Sequence, residues 1–506
     1  MRIQDMKKSI VKLIAASLIV SAAFGTASCG THSAEPVEVN TKTESEILSA
    51  VEGEVHVAAD GSDEAGSGTV DAPFATISYA AETMPGSQII VHEGEYMPFE
   101  LGQECSGSEG SPTVIRAAEG ERVVISAENT DSEERENATV NAAEGETASD
   151  EEVDRIGISI LNVRHISVEG LEIRGGTHGI RYMSTREAGE QPLMDISIKN
   201  CTVHGVRGIH GINVYAFNDK APVADLTIEG CEVYDCECGS SESLVLNGNI
   251  DGFLIAENTV HDNNNIGIDM IGFEGLAMHP EEDSSRNPYD ADQVRNGICR
   301  DNVIYNISTE GNPAYFEDGE YDLCAGGIYV DGGRDIEICD NFIYRCDIGV
   351  EVATEHSPDD NELFRVTGIR VHDNVIADCT GWTGICFGGY DRDLGFTEDC
   401  EFDHNTLVDN EVQIGVQRSR NNRIYANMII GGETGVEFNE DCSKEDMVND
   451  ISGNVSAEIG DEESWSEEYG SSYGDREKIA DGFRSLIEDM GSRFVPDEGM
   501  MELYRR

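Results

Sequence analysis

Positive charge is scarce in this chain: 34 Lys and Arg stand against 99 Asp and Glu in 506 residues, a formal net charge of −65. Proteins that hold nucleic acid neutralise phosphates with Lys and Arg, so this balance argues against nucleic acid as a partner and against anionic membrane surfaces. The 14 cysteines are scattered and form no CxxC pair, so neither a zinc module nor a dense disulfide framework is signalled. The longest apolar run near the start, Leu13 to Phe24, is too short to span a bilayer. Hydrophobic residues still make up 39% of the chain, enough for a core, so global disorder is excluded.

Lys7, Lys8 and Lys12 precede that apolar run, and Thr26-Ala27-Ser28-Cys29 follows it. This is the layout of an export signal. It resembles a bacterial lipoprotein signal, which implies a leader over 1–29, a lipid on Cys29, and a mature chain held at the outer or cytoplasmic membrane surface. Residues 30–54 are rich in Thr, Ser and Glu without apolar period and read as a tether.

The body of the chain is a repeat. ISVEGLEI at 166–173, ISIKNCTV at 196–203, FLIAENTV at 253–260, IEICDNFI at 336–343 and IRVHDNVI at 369–376 share one pattern. Each is trailed by a Gly-aliphatic-x-aliphatic strand such as GIDMI at 267, GIYVD at 327 or GVEVA at 349. Every unit offers short strands of period two, with no helical stretch between them. One such unit cannot bury its own apolar face, but stacked units bury a continuous core. The sixth residue of each repeat aligns Leu171, Cys201, Cys231, Asn258, Asn302, Asn341, Asn374, Asn405, Asn427 and Asn454. Stacked amides at a tight bend can bond to one another, and Leu171, Cys201 and Cys231 form an apolar stack in their place.

The expected fold is therefore all-β: a single-stranded parallel β-helix solenoid of about ten coils over 55–460. It resembles the right-handed pectin-lyase-like repeat proteins, which supplies the hand. ATISYAAETM is expected to be a short capping helix, with IIVHEGEY as the first strand. Residues 127–156 read as an acidic insertion, and 461–506 as a C-terminal extension with a helix at 476–490.

In the strand after each Gly, aliphatics alternate with residues that should face outward. That outward column reads Arg181, Asn213, Val245, Asp269, Tyr329, Glu351, Cys386, Gln417 and Glu437, and a neighbouring one holds Tyr215, Asn247, Asp331 and Asn439. Asp269, Asp331 and Glu351 thus gather on successive coils. Insertions at 272–293, 307–323 and 356–365 surround them, which favours a binding groove there. Asp269, Asn247, Tyr329, Glu355, His356 and Trp382 are candidate substrate contacts, with the aromatics suited to sugar faces.

The stretch 58–123 and the coil pair GIYVDGG…GVEVATEH resemble the β-xylosidase-type β-helix glycoside hydrolases. The resemblance implies an oligo- or polysaccharide substrate, Asp331 as nucleophile, Glu351 as general acid/base and no required cofactor. Gly332-Gly333 after the Asp departs from that family's pattern. The alternatives are a calcium-dependent polysaccharide lyase or epimerase, with Asp269, Asp331 and Glu351 as Ca²⁺ ligands, and a non-catalytic surface protein that binds glycans.

Overall fold

The computed structural model describes residues 53–128, 155–280, 285–389 and 394–472. The expected leader, nearly all of the tether, most of the acidic insertion and the expected helix at 476–490 lie outside these residues.

Period-two alternation dictates the architecture. Successive coils each lay short strands onto three long parallel sheets, of 15, 11 and 13 strands among the described residues. One coil, for example, runs through Val294–Arg300, Val303–Ile307 and Gly326–Asp331, one strand for each sheet. The inward aliphatics of all coils merge into one core that extends from Val55 to Ile451. The chain is thus a parallel β-helix with a single continuous core. Among the described residues, no helix is long and apolar enough to cross a membrane.

The asparagine column forms a ladder. Nδ2 of Asn258, Asn302, Asn341, Asn374, Asn405 and Asn427 each donates to Oδ1 of the next asparagine, at 2.9–3.0 Å. Asn454 closes the series, donating to the carbonyls of Ile424 and Tyr469. In the earlier coils Leu171, Cys201 and Cys231 are buried in the core, and the Asn258 side chain accepts the Cys231 N–H at 2.9 Å.

The bend before each ladder residue needs a left-handed backbone. Gly170, Asn200, Gly230, Glu257, Asp301, Asp340, Asp373, His404, Ala426 and Gly453 all sit there with φ between 50° and 70°. Asn and Asp tolerate this region because a short polar side chain can bond locally, whereas Ala cannot. Ala426, at φ 55°, is therefore strained, as is Glu257 at φ 58°. Ala426→Gly is expected to raise stability by about 1 kcal/mol, read as a higher urea midpoint at unchanged slope.

The ends differ in detail from the sequence reading. Strand Glu54–Val57 comes before IIVHEGEY and pairs in parallel with Gln88–Val91. Four residues beside a polar tether carry too little period to stand out. Helix Ile77–Thr83 lies between these strands in sequence, with Thr76 accepting the Tyr79 N–H, and buries Ile77, Ala80 and Ala81. At the other end the solenoid continues past 460 to strand Gly470–Ser472, with Trp465 packed against the core. One register also shifts. In strand Val412–Val416 it is Gly415, not Gln417, that pairs with Cys386 and Glu437. Ile414 holds the inward place there, beside Ile385 and Val436.

Candidate functional site

The site grows from the 11-stranded sheet. Leu244, Leu246, Ile268, Met270, Ile328, Val330, Val350 and Val352 point into the core. The intervening residues therefore share the opposite face. Hydrogen-bond register stacks Val245, Asp269, Tyr329, Glu351 and Cys386 on five consecutive coils. Asp331, two residues beyond Tyr329, ends its strand opposite Ala353.

These side chains were expected to meet solvent, and they are instead covered. Asp331 is 1% exposed, Asp269 2%, Tyr329 5% and Glu351 8%. The insertion after strand Ile268–Ile271 lies against the Asp331 end of this face. Its Gly272 N–H donates to the Asp331 carbonyl, and its Phe273 N–H to the Asp292 carbonyl, both at 2.7 Å. The Asp292 carboxylate accepts the Gly275 N–H at 2.6 Å and the Ala277 N–H at 2.8 Å, which pins the loop back on itself. Burial pushes the Asp292 carboxyl up to about 6, with these two N–H groups opposing. Phe364 of the 356–365 insertion packs against Phe273, Tyr289 and His356, with ring centroids 4.8–5.2 Å apart. Asn287 and Asn361 exchange amide hydrogen bonds at 2.8 and 3.0 Å and join the two insertions.

The 307–323 insertion stands at the other end of the strands. Its Thr309 N–H and hydroxyl bond to the Asp347 carboxylate, just before strand Ile348–Ala353. Its Asn312 amide donates to the Gly239 and Asn264 carbonyls at 2.7 and 2.8 Å.

The candidate residues separate into three groups. At the strand ends, Glu274, Asp331 and Glu355 each bring one carboxylate oxygen within 4.8 Å of the others, so these three could hold a cation. The Glu355 N–H donates to Asp331 Oδ1 at 3.2 Å, and His356 Nε2 is 3.4 Å from Glu274 Oε1. Burial pulls the His356 imidazole down, but Glu274, Asp331 and Glu355 outweigh it and leave it above its ordinary value. In the middle, Tyr329 lies between Asp269 and Glu351. Burial raises its phenol well above the usual value, and the charges of Asp331, Glu351, Glu355 and Asp269 raise it further. At the strand starts, Trp382 is half-buried, with its N–H donating to the Asp347 carbonyl at 2.9 Å. Trp382 is thus at the far end from His356. Asn247 lies on the same face, paired with Tyr215 and Ile271.

Tyr329 sets Asp269 and Glu351 two coils apart, about 9.6 Å at Cα. The trio of acids within reach of one ion is accordingly Glu274, Asp331 and Glu355, sharing only Asp331 with the trio named from the sequence. Sequence reasoning missed Glu274 and Asp292. Both lie inside the insertion flagged at 272–293, where no periodicity ranks one acid above another.

The family described as NosD, periplasmic copper-binding protein, matches residues 285–467. The uncharacterized protein YwoF of Bacillus subtilis (strain 168) is 34% identical over 417 residues, which is 79% of each chain. Pectate lyase PEL9 of Emericella nidulans is 30% identical over 201 residues, 38% of this chain and 46% of that protein. Among solved structures, the GH136 lacto-N-biosidase from Eubacterium ramulus superposes with a TM-score of 0.53 at 15% identity. That superposition covers 80% of this chain and 68% of the other, and the likeness is one of fold.

Proposed function

Given that this chain belongs to the same family as YwoF of Bacillus subtilis and lines one face of its β-helix with carboxylates, we propose that it is an exported carbohydrate-active enzyme. The reaction is hydrolysis of a glycosidic bond in an oligo- or polysaccharide. Asp331 and Glu351 on consecutive coils carry this reading. Their Cα atoms are about 8 Å apart by strand geometry, which lets the carboxyl groups approach the roughly 5–5.5 Å of retaining glycosidases.

In this reading Asp331 attacks the anomeric carbon as the glycosidic C–O bond breaks, and Glu351 gives its proton to the leaving oxygen. Water then replaces Asp331 on the sugar, and Glu351 takes a proton from that water. Glu351 must bring a proton to the leaving oxygen while Asp331 stays ionised. His356 and Tyr329 supply donors among the acids. Because Gly272 and Glu274 lie against Asp331, substrate entry requires that part of the insertion to lift. A lipid on Cys29 holds the enzyme at the membrane surface.

The Glu274, Asp331 and Glu355 trio favours a second reading, a Ca²⁺-assisted lyase acting on uronates. Its ion would be held by these three carboxylates and would neutralise the uronate. A basic group on this face is Arg181, three register steps before Asp269.

One screen separates the readings. Neutral and uronate oligosaccharides are incubated with the protein, with and without chelator. Reducing-sugar release that chelator does not affect, without absorbance from an unsaturated uronate, is the expected result. Chelator-sensitive release with that absorbance establishes the lyase instead. No product from either class returns the protein to glycan binding alone.

A further inference from the structure

A second cluster of ligand-type side chains lies on a different sheet. Strands Arg334–Cys339 and Arg370–His372 pair in parallel, with Glu337 beside Arg370 and Cys339 beside His372. Ile336 and Ile338 fill the core, so Glu337 and Cys339 face out of the coil together. Cys339 differs in this from Cys299 and Cys346, which belong to the core. Cys339 and His372 are 6% and 8% exposed. The Cys339 sulfur, a His372 ring nitrogen and a Glu337 oxygen all lie within 4.8 Å of one another.

The surroundings match what a metal-binding imidazole needs. His372 Nε2 is 2.7 Å from Glu337 Oε1, and Nδ1 is 2.7 Å from Asp373 Oδ2. A carboxylate on the far ring nitrogen fixes the tautomer and raises the basicity of the near one, as in many metal sites. Nearby cations are engaged elsewhere. Arg370 donates to both oxygens of Asp403 at 3.0 Å, and Arg300, paired in register with Cys339, is ion-paired with Asp301. Glu337, Asp340 and Asp373 surround the thiol and imidazole with negative charge. Burial pushes the Cys339 thiol up to about 12, and Asp340, Glu337 and Asp301 add to it. Such a thiol is inert by itself, and a bound cation reverses that electrostatic balance.

We propose that Glu337, Cys339 and His372 bind a borderline divalent metal ion of the zinc type, at a site separate from the carbohydrate groove. Thiolate, imidazole and carboxylate are the three ligand types zinc takes, with water in the fourth tetrahedral position. Zn–S of about 2.3 Å and Zn–N of about 2.0 Å place ligand atoms roughly 3.3–3.8 Å apart, so the side chains need only small rotations. Binding displaces the thiol proton to solvent. This assignment does not rest on the glycosidase reading.

The test uses the full chain, stripped with chelator and titrated with Co²⁺ as a spectroscopic probe, then with Zn²⁺ in competition. One equivalent of cobalt should bind with a near-ultraviolet thiolate-to-cobalt band, and zinc should abolish that band. Cobalt affinity should rise about tenfold per pH unit between roughly pH 6 and 8, as one thiol proton is released. Cys339→Ser should remove the band and His372→Gln should weaken binding at least about tenfold, with the far-ultraviolet spectrum unchanged. Asp373→Asn, a positioning change, should keep the band and weaken binding about 10- to 100-fold. Asp331→Asn should alter neither. No charge-transfer band at saturating cobalt, or a band that survives Cys339→Ser, overturns the proposal. Loss of binding in Asp331→Asn with none in Cys339→Ser would place the ion in the groove and overturn it equally.

Discussion

Asp331→Asn is expected to abolish turnover of every glycoside substrate without loss of fold. The nucleophile forms a bond to the sugar whatever the leaving group, so no substrate escapes the change. The substitution is nearly isosteric, and an Asn oxygen can still accept the Glu355 N–H that Asp331 accepts at 3.2 Å. It also removes one charge from a group containing Asp269, Glu274, Glu351 and Glu355. The melting temperature should therefore hold or rise while activity disappears, a combination that mere misfolding cannot produce. Glu351→Gln should behave differently. Its proton matters in proportion to the basicity of the leaving oxygen. Unactivated glycosides should slow by about 10²–10⁴-fold and activated aryl glycosides much less. The measurement is kcat/KM for both variants on a matched pair of substrates. Equal slowing of both by Glu351→Gln removes Glu351 from the acid role. Wild-type rates in Asp331→Asn would remove the carboxylate pair from the mechanism altogether and assign the turnover to other groups.

How much of this was readable in the sequence depends on where each residue sits. Asp269, Tyr329 and Glu351 lie on strands, where alternation fixes the face and the repeat fixes the coil. Their column was legible and agrees with the observed register. Glu274 lies in a loop with no period, so nothing in the sequence marks it as the acid that reaches Asp331. The burial of Asp331 was also illegible. It arises because residues 272–277 fold back against their own coil, held by Asp292, and the Asn287 and Asn361 amides join this insertion to the next. That return is a tertiary event with no local signature. Cys339 and His372 show an intermediate case. Both stand two residues before a ladder asparagine, in IEICDN and IRVHDN, so the register alone places them side by side. Their chemistry becomes visible only once the repeat is treated as a set of adjacent coils.

Asn341→Ala should be costly although it touches no functional residue. Asn341 is fully buried, and four side-chain hydrogen bonds pass through it. Its Nδ2 donates to the Cys299 carbonyl at 3.0 Å and to Asn374 Oδ1 at 2.9 Å. Its Oδ1 accepts the Asn302 N–H at 3.0 Å and Asn302 Nδ2 at 2.9 Å. Alanine leaves the Asn302 N–H and the Cys299 carbonyl buried with that bond gone, while Asn302 Nδ2 keeps the Ile255 carbonyl at 3.1 Å. Each unmet buried group costs about 1–3 kcal/mol, so a loss of about 3 kcal/mol is expected. Asn454→Ala should cost less although it also carries four side-chain hydrogen bonds, because its bond to the Tyr469 carbonyl is only partly buried at the end of the solenoid. The double variant Asn302→Ala/Asn341→Ala should fall short of additivity by about 1–2 kcal/mol, since the second change removes groups the first has already orphaned. Cys201 and Cys231 show why: an uninterrupted apolar stack satisfies the same bend, so the penalty belongs to the broken junction between partners. Urea midpoints at constant slope measure all of these, and a reduced slope would show that the solenoid has begun to unfold in segments. A cost for Asn341→Ala under about 0.5 kcal/mol, or one equal to that of Asn454→Ala, would mean that the aliphatic core alone sets the register and the amide ladder only follows it.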